Sequence, residues 1–134
     1  MKRLRLCAVF CLMIALSSCR GKPDETITEV KNGAFKVLIR SQEFHHSGSL
    51  NVDICVANTS SLGFPENRIQ CFLEGYDFDR LTVKWQGPQI IEVSFRTGRV
   101  THFTNSAFAY PGGPVPTEFH ILLCDGCEAA MGPD

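Results

Sequence analysis

Alternation of apolar and polar residues is the clearest pattern in the chain. In residues 81–85 and 91–95 the odd positions carry large apolar side chains, and the even positions between them are mostly polar. A period of two is that of a β-strand with one face packed and the other in water. Together with residues 100–104, these segments predict a three-stranded antiparallel meander with turns at residues 86–89 and 97–98. Trp85 falls on the packed face, which makes it a predicted core residue, and an aromatic binding site is the alternative.

The preceding part of the chain also indicates strands. Residues 26–30 and 34–44 are separated by Asn32-Gly33, which is a strong signal for a tight hairpin turn. In residues 50–56 the aliphatic side chains share one face, so Cys55 is predicted to face away from the main apolar layer. Residues 118–123 again read as a strand. Two longer segments, residues 58–67 and 106–116, are predicted to be irregular loops, since both contain glycine and proline.

No segment after Cys19 has a convincing helical period. The pattern therefore predicts an all-β fold, in which an antiparallel sheet of about six or seven strands is curled or doubled into a small sandwich and stapled by disulfides. Residues 26–134 are long enough for one domain with its own core and too short for two.

The first 18 residues have the organisation of an export signal. Lys2, Arg3 and Arg5 precede an apolar run over residues 6–16 that is too short to span a bilayer in the usual way. The run ends in Leu16-Ser17-Ser18-Cys19, which resembles the lipobox of bacterial lipoproteins. A plain secretory signal and a buried N-terminal helix are the alternatives.

The lipobox resemblance implies a lipid anchor on Cys19. In that family the cysteine sulfur receives a diacylglyceryl group, cleavage occurs just before the cysteine, and the new amine is usually acylated, for example with palmitate. Two or three acyl chains attach a protein stably to a membrane. Position 20 is Arg, and the absence of an aspartate there implies the outer membrane in a Gram-negative host. Residues 1–18 would then be the signal peptide, and residues 19–25 a tether to a periplasm-facing domain, with residues 20–25 spanning at most about 20 Å.

Cleavage before Cys19 changes the composition of the remaining chain. Of 134 residues 116 remain, with 10 of the 13 basic and all 14 acidic side chains, which gives a formal charge of −4. This balance gives no indication of a nucleic-acid partner. Of the seven cysteines, two leave with the signal and Cys19 carries lipid. The four that remain predict two disulfides in an oxidising compartment, with three connectivities open: Cys55, Cys71, Cys124 and Cys127.

Several groups of residues suggest chemistry without establishing it. Cys124 and Cys127 have a spacing that suits a redox disulfide or a soft metal, with His120 as a further ligand and His102 or the His45-His46 pair completing the set. The motif follows a predicted strand and lacks a helix N-terminus, so a structural disulfide is favoured, and we expect no metal and no cofactor. The acidic side chains before the meander could bind calcium but lack the twelve-residue loop pattern, so they are expected to form a solvated turn: Glu74, Asp77 and Asp79.

No hydrolase or phosphate-loop motif occurs, and a small β domain leaves little room for a deep cleft, so we expect a protein that is not an enzyme. In size and address it resembles envelope inhibitors and immunity proteins that neutralise periplasmic toxins. That resemblance implies a non-catalytic module that binds a protein partner, with residues 58–67 and 106–116 as contact loops. An envelope assembly lipoprotein and a redox or metal-handling protein are the alternatives.

Overall fold

A computed structural model of the chain describes residues 24–44, 48–65 and 67–127, and it contains strands and no helix over these residues. The all-β prediction is confirmed. Six or seven strands were predicted, and the described residues form nine. In chain order the strands are β1 Asp24–Asn32, β2 Phe35–Glu43, β3 Leu50–Asn58, β4 Cys71–Asp79, β5 Thr82–Gly87, β6 Ile90–Phe95, β7 Thr97–Phe103, β8 Ser106–Ala109 and β9 Thr117–Asp125.

The strands form two sheets. The first has five strands in the order β1-β2-β3-β4-β7, and the second has four in the order β5-β6-β9-β8. All neighbours are antiparallel except β6 and β9, which run parallel. The sandwich is therefore mixed, with one parallel pair inside the four-stranded sheet.

The core lies between the inner faces of the two sheets. Its largest fully buried side chains include Phe72 from the five-stranded sheet and Phe95 and Phe119 from the four-stranded sheet. Phe119 also contacts Phe35 edge to face, at 4.9 Å between ring centroids, which links the two sheets. Burying aromatic and aliphatic side chains on both inner faces supplies the main driving force for this fold.

The predicted hairpin between the first two strands is confirmed, with its turn one residue later than the predicted Asn32-Gly33. Asn32 pairs with Phe35, so the turn consists of Gly33 and Ala34, and Gly33 has a positive φ of 61° that glycine adopts without strain. β1 begins at Asp24, so the last two residues assigned to the tether belong to the strand.

The three-stranded meander prediction is wrong in its third strand. β5 and β6 pair as predicted, but β7 crosses to the other sheet and pairs with β4. The free edge of β6 is taken by β9, whose Phe119 and Ile121 are buried in the core. The pairing of β6 with the distant β9 buries these side chains, and it replaces the pairing of β6 with β7 that the sequence predicts.

Two loop predictions are also corrected. Glu74, Asp77 and Asp79 were expected in a solvated acidic turn, and they lie in β4, which pairs with both β3 and β7. The segment 106–116 was expected to be irregular throughout, and its first four residues form β8. Ala107 and Ala109 are fully buried there, and they were not recognised because alanine is a weak indicator of strand structure.

Trp85 packs at the edge of the core as predicted. Its ring contacts Phe119 edge to face at 5.7 Å, and its indole N–H donates to the Val30 carbonyl over 2.9 Å. This hydrogen bond joins β5 to β1 and so ties the two sheets together along one side.

Candidate functional site

The two ends of the sandwich carry different parts of the chain. β1 begins with Asp24 opposite Glu43 and ends with Asn32 opposite Phe35. The chain therefore enters β1 at the end of the sandwich where β2 connects to β3. We call this the proximal end. The turn at Gly33 marks the opposite, distal end. Nine extended residues separate the two ends by about 30 Å.

The irregular parts of both predicted contact loops begin at the distal end. The Thr59 N–H donates to the Ala34 carbonyl over 2.8 Å, and the Thr59 hydroxyl donates to the Gly33 carbonyl over 3.0 Å. The Asn58 side-chain amide donates to the Tyr110 carbonyl over 3.4 Å, which joins the two loops. We call residues 33–34, 59–63 and 110–116 together the distal surface.

Apolar side chains on the distal surface remain in water. Leu62 is 99% exposed, Val115 is 72% exposed and Tyr110 is 45% exposed. One exposed apolar side chain is ordinary on a protein surface. Here three such side chains lie on two loops that the Asn58–Tyr110 hydrogen bond joins.

The loop that carries Leu62 is braced on the outer face of the five-stranded sheet. The disulfide between Cys55 and Cys71 closes it, and this pair belongs to one of the three connectivities that the sequence leaves open. Cys55 points away from the main core, as predicted, yet it is fully buried because the loop covers it together with Leu38. The loop therefore has its own small apolar base, separate from the main core.

A buried lysine holds the same loop by its backbone. Lys36 is 6% exposed, and its ammonium donates to the Ser61 carbonyl over 3.1 Å and to a Glu29 carboxylate oxygen over 2.8 Å. This hydrogen bond from Lys36 is the main cause that lowers the pKa of Glu29 below its usual value of 4.5. The positive charge is thus compensated, and the loop is anchored next to Leu62.

A second cation supports the middle of the loop. The Arg40 guanidinium lies 4.2 Å from the centroid of the Phe64 ring and donates to Asp53 at 2.6 Å. Arg40 and Asp53 face each other on neighbouring strands. A stacked, paired arginine of this kind keeps one geometry, which makes the loop a defined surface.

The outer face beside this loop forms a shallow pocket of about 220 Å³. Its lining mixes cations, carboxylates and an aromatic ring: Arg40, Asp53, Phe64, Pro65, Arg68, Cys71 and Glu74. Two of these charges are paired with each other, because Arg40 donates to Asp53.

The second disulfide joins Cys124 to Cys127, so both predicted disulfides are present and the connectivity is decided. Cys124 is the next-to-last residue of β9 and lies beside Ser94 of β6, and Gly126 makes the turn with a φ of 79°. This pair lies at the proximal end. Cys19, the predicted lipidation site, lies outside the described residues.

The structure does not bring the suggested metal ligands together. His120 and Cys124 are four residues apart on one extended strand, which separates their Cα atoms by about 13 Å. His45 and His46 lie outside the described residues. Within residues 24–44, 48–65 and 67–127 no three His, Cys, Asp or Glu side chains are placed to hold one metal ion.

Lys36 and the Arg40–Asp53 pair were not recognised as site residues from the sequence. They alternate with core residues on β2 and β3, so they read as ordinary solvated positions. The available signal was the polar alternation itself, combined with the knowledge that a disulfide-closed loop folds back over this face.

Comparison with known proteins gives no relative: no family model, no curated protein and no solved structure matches the chain. In the part of the chain that the structure describes, there is no helix with the length and apolar character needed to cross a membrane.

Proposed function

We propose that this protein is a periplasm-facing lipoprotein of the outer membrane, anchored through Cys19, which binds a protein partner with its distal surface and has no catalytic role of its own. The partner class that we favour is a toxin enzyme delivered to the periplasm, whose active site the distal surface would cover. The protein would then act as an inhibitor or immunity protein.

The observation that carries the proposal is that the N-terminal connection and the two joined loops lie at opposite ends of the sandwich. The chain enters β1 at the proximal end, and the two joined loops lie at the other end of the same strand. A domain tethered to a membrane through its N-terminus can present such a distal surface to the periplasm, about 30 Å from the start of β1.

The bracing of the loop supports a binding role. A loop that is ordered before association loses less conformational entropy when it binds, which favours affinity. Here the Cys55–Cys71 disulfide, the Lys36 anchor and the Arg40 stack on Phe64 all hold the loop that exposes Leu62. Leu62 is almost entirely exposed, so a partner that covers it gains the free energy of burying its apolar surface.

Partner binding is tested with two single substitutions on the distal surface and one control substitution, each in the full-length chain. Leu62→Asp and Val115→Asp place a charge on the distal surface, whereas Leu122→Asp places the same charge on the exposed side chain of β9, which is 51% exposed. We expect the two distal variants to lose a partner that co-purifies with the wild type and to lose protection against the matching toxin, while Leu122→Asp keeps both. Equal partner binding and protection in all variants would contradict the proposal, as would recovery of an outer-membrane assembly complex in place of a toxin.

The anchor is tested separately. Cys19→Ser should release the protein from the membrane fraction, because the acylated sulfur is lost. Cys7→Ser, which changes a cysteine of the proposed signal peptide, should leave the membrane attachment unchanged. Membrane sedimentation of both variants without detergent measures this, and a Cys19→Ser protein that still sediments with membranes would exclude a lipid anchor at this residue.

A further inference from the structure

A second surface lies where the edges of the two sheets meet. β7 is an edge of the five-stranded sheet and β8 is an edge of the four-stranded sheet, and the chain crosses between them at residues 104–105. The gap forms a groove of about 300 Å³, which we call the side groove. It is lined by Arg68, Ile69, His102, Thr104, Ser106 and Phe108.

The wall of the side groove is mostly apolar. The Phe108 N–H donates to the Ile69 carbonyl over 2.9 Å, which holds these two residues side by side, and Ile69 is 44% exposed. The Thr104 hydroxyl is satisfied within the groove, because it donates to the Ser106 carbonyl over 2.9 Å. The volume is at the lower limit of small-molecule pockets, which suits one bulky side chain of a partner.

The rim of the side groove carries basic groups only. Arg68 and His102 are its ionisable lining residues, and no carboxylate lines it. Glu74 pairs with His102 in the strand register and lines the neighbouring pocket together with Arg68. Neither Arg68 nor His102 forms a side-chain ion pair with another described residue. A basic rim around an apolar wall, on a mature chain of net charge −4, is locally complementary to an acidic partner.

Two residues that line the side groove are close in sequence to the loops of the distal surface. Ile69 belongs to the braced loop that exposes Leu62, and Phe108 is two residues before Tyr110 on β8 and its following loop. From this closeness in sequence and the charge of the rim, we infer that the side groove receives one bulky apolar side chain of the protein partner, from a segment in which carboxylates flank that side chain. This inference rests on the proposed function and adds the chemistry of the partner.

The test uses two short peptides and the full-length protein in detergent. Both are fluorescently labelled five-residue peptides with a central phenylalanine. In the acidic peptide two acidic residues stand on each side of the phenylalanine, and in the lysine peptide two lysines do. We expect fluorescence anisotropy to show tighter binding of the acidic peptide. Arg68→Glu should weaken that binding by about tenfold and improve binding of the lysine peptide.

Two control measurements separate the groove from general electrostatics. Lys84→Glu makes the same charge change on an exposed residue of β5 and should leave both affinities unchanged. Ile69→Ala keeps the charges but removes part of the apolar wall, so it should weaken the acidic peptide several-fold, and it should have no effect on an acidic peptide with alanine at its centre. Equal binding of both peptides, equal effects of Arg68→Glu and Lys84→Glu, or no binding at millimolar concentration would overturn the inference.

The outcomes also separate this inference from the proposed function. If the distal variants lose the co-purifying partner while Arg68→Glu retains it at full affinity, the proposed function is supported and the side groove is not part of the interface. If the peptides bind as expected but the distal variants keep full partner binding, the groove is a binding site and the distal surface is not.

Discussion

Cys55 on β3 and Cys71 on β4 are cross-strand partners with Cα atoms 3.9 Å apart, and their disulfide closes the loop that exposes Leu62. The two cysteines are 16 positions apart, so the covalent bond restrains a long connection in the unfolded chain. It also holds that connection against the outer face of the sheet. One bond therefore serves both the stability of the domain and the shape of its candidate binding surface.

Removal of this disulfide should destabilise the domain strongly. For a closed loop of this length, the lost restraint on the unfolded chain corresponds to about 3 kcal/mol. We expect the Cys55→Ala, Cys71→Ala double variant to lose about that much free energy of unfolding, as measured by urea denaturation of the oxidised proteins.

The second disulfide provides the matched comparison. Cys124 and Cys127 are three positions apart, so the same relation gives a smaller contribution of about 2 kcal/mol. The Cys124→Ala, Cys127→Ala double variant should therefore be the more stable of the two. The opposite order would show that loop entropy does not govern these bonds.

Acid should weaken the anchor of the braced loop. Because the Lys36 ammonium lowers the pKa of Glu29 in the folded state, the carboxylate stabilises the fold above its usual value of 4.5, and this contribution is lost as the pH falls through the folded pKa. Glu29→Gln removes this titration, so its urea midpoint should fall less between pH 6 and pH 3 than that of the wild type. Glu118→Gln, at an exposed position of β9, should follow the wild-type pH dependence, and identical curves for all three proteins would exclude the anchor as a source of acid sensitivity.

Gly75 is required by the close approach of β4 to its neighbours. A Cβ atom at this position would collide with the Arg99 carbonyl and with the ring of Phe78. Gly75→Ala should lower the free energy of unfolding by about 1–3 kcal/mol through overpacking. Gly113→Ala is the control, since nothing lies within 4 Å of a Cβ there, and its urea midpoint should match the wild type.

The same substitution should lower stability strongly in the core and hardly at all on the distal surface. Leu73→Ala removes a fully buried side chain and should cost about 2–5 kcal/mol. Leu62→Ala removes one that is 99% exposed and should change stability by less than about 0.5 kcal/mol. Thermal unfolding of the two variants measures this, and a large loss for Leu62→Ala would show that the side chain is packed in solution.

The sequence by itself determined the local structure of this protein. Period-two alternation identifies β5 and β6 and the core role of Trp85, and Asn32-Gly33 identifies the first hairpin, because both signals depend on residues close in the chain. Four cysteines left after the proposed cleavage predict two disulfides. The alternation in β3 also places Cys55 away from the main core.

Only the tertiary structure decided which distant segments meet. β7 pairs with β4 and not with β6. β9 pairs with β6 in parallel, because the buried side chains of β9 complete the core. Local patterns carry no information about such pairings, because each strand has two edges and any compatible strand can occupy either one. The choice depends on which combination buries the most apolar surface, and the same choice joins the two contact loops at Asn58 and Tyr110 and opens the side groove between β7 and β8.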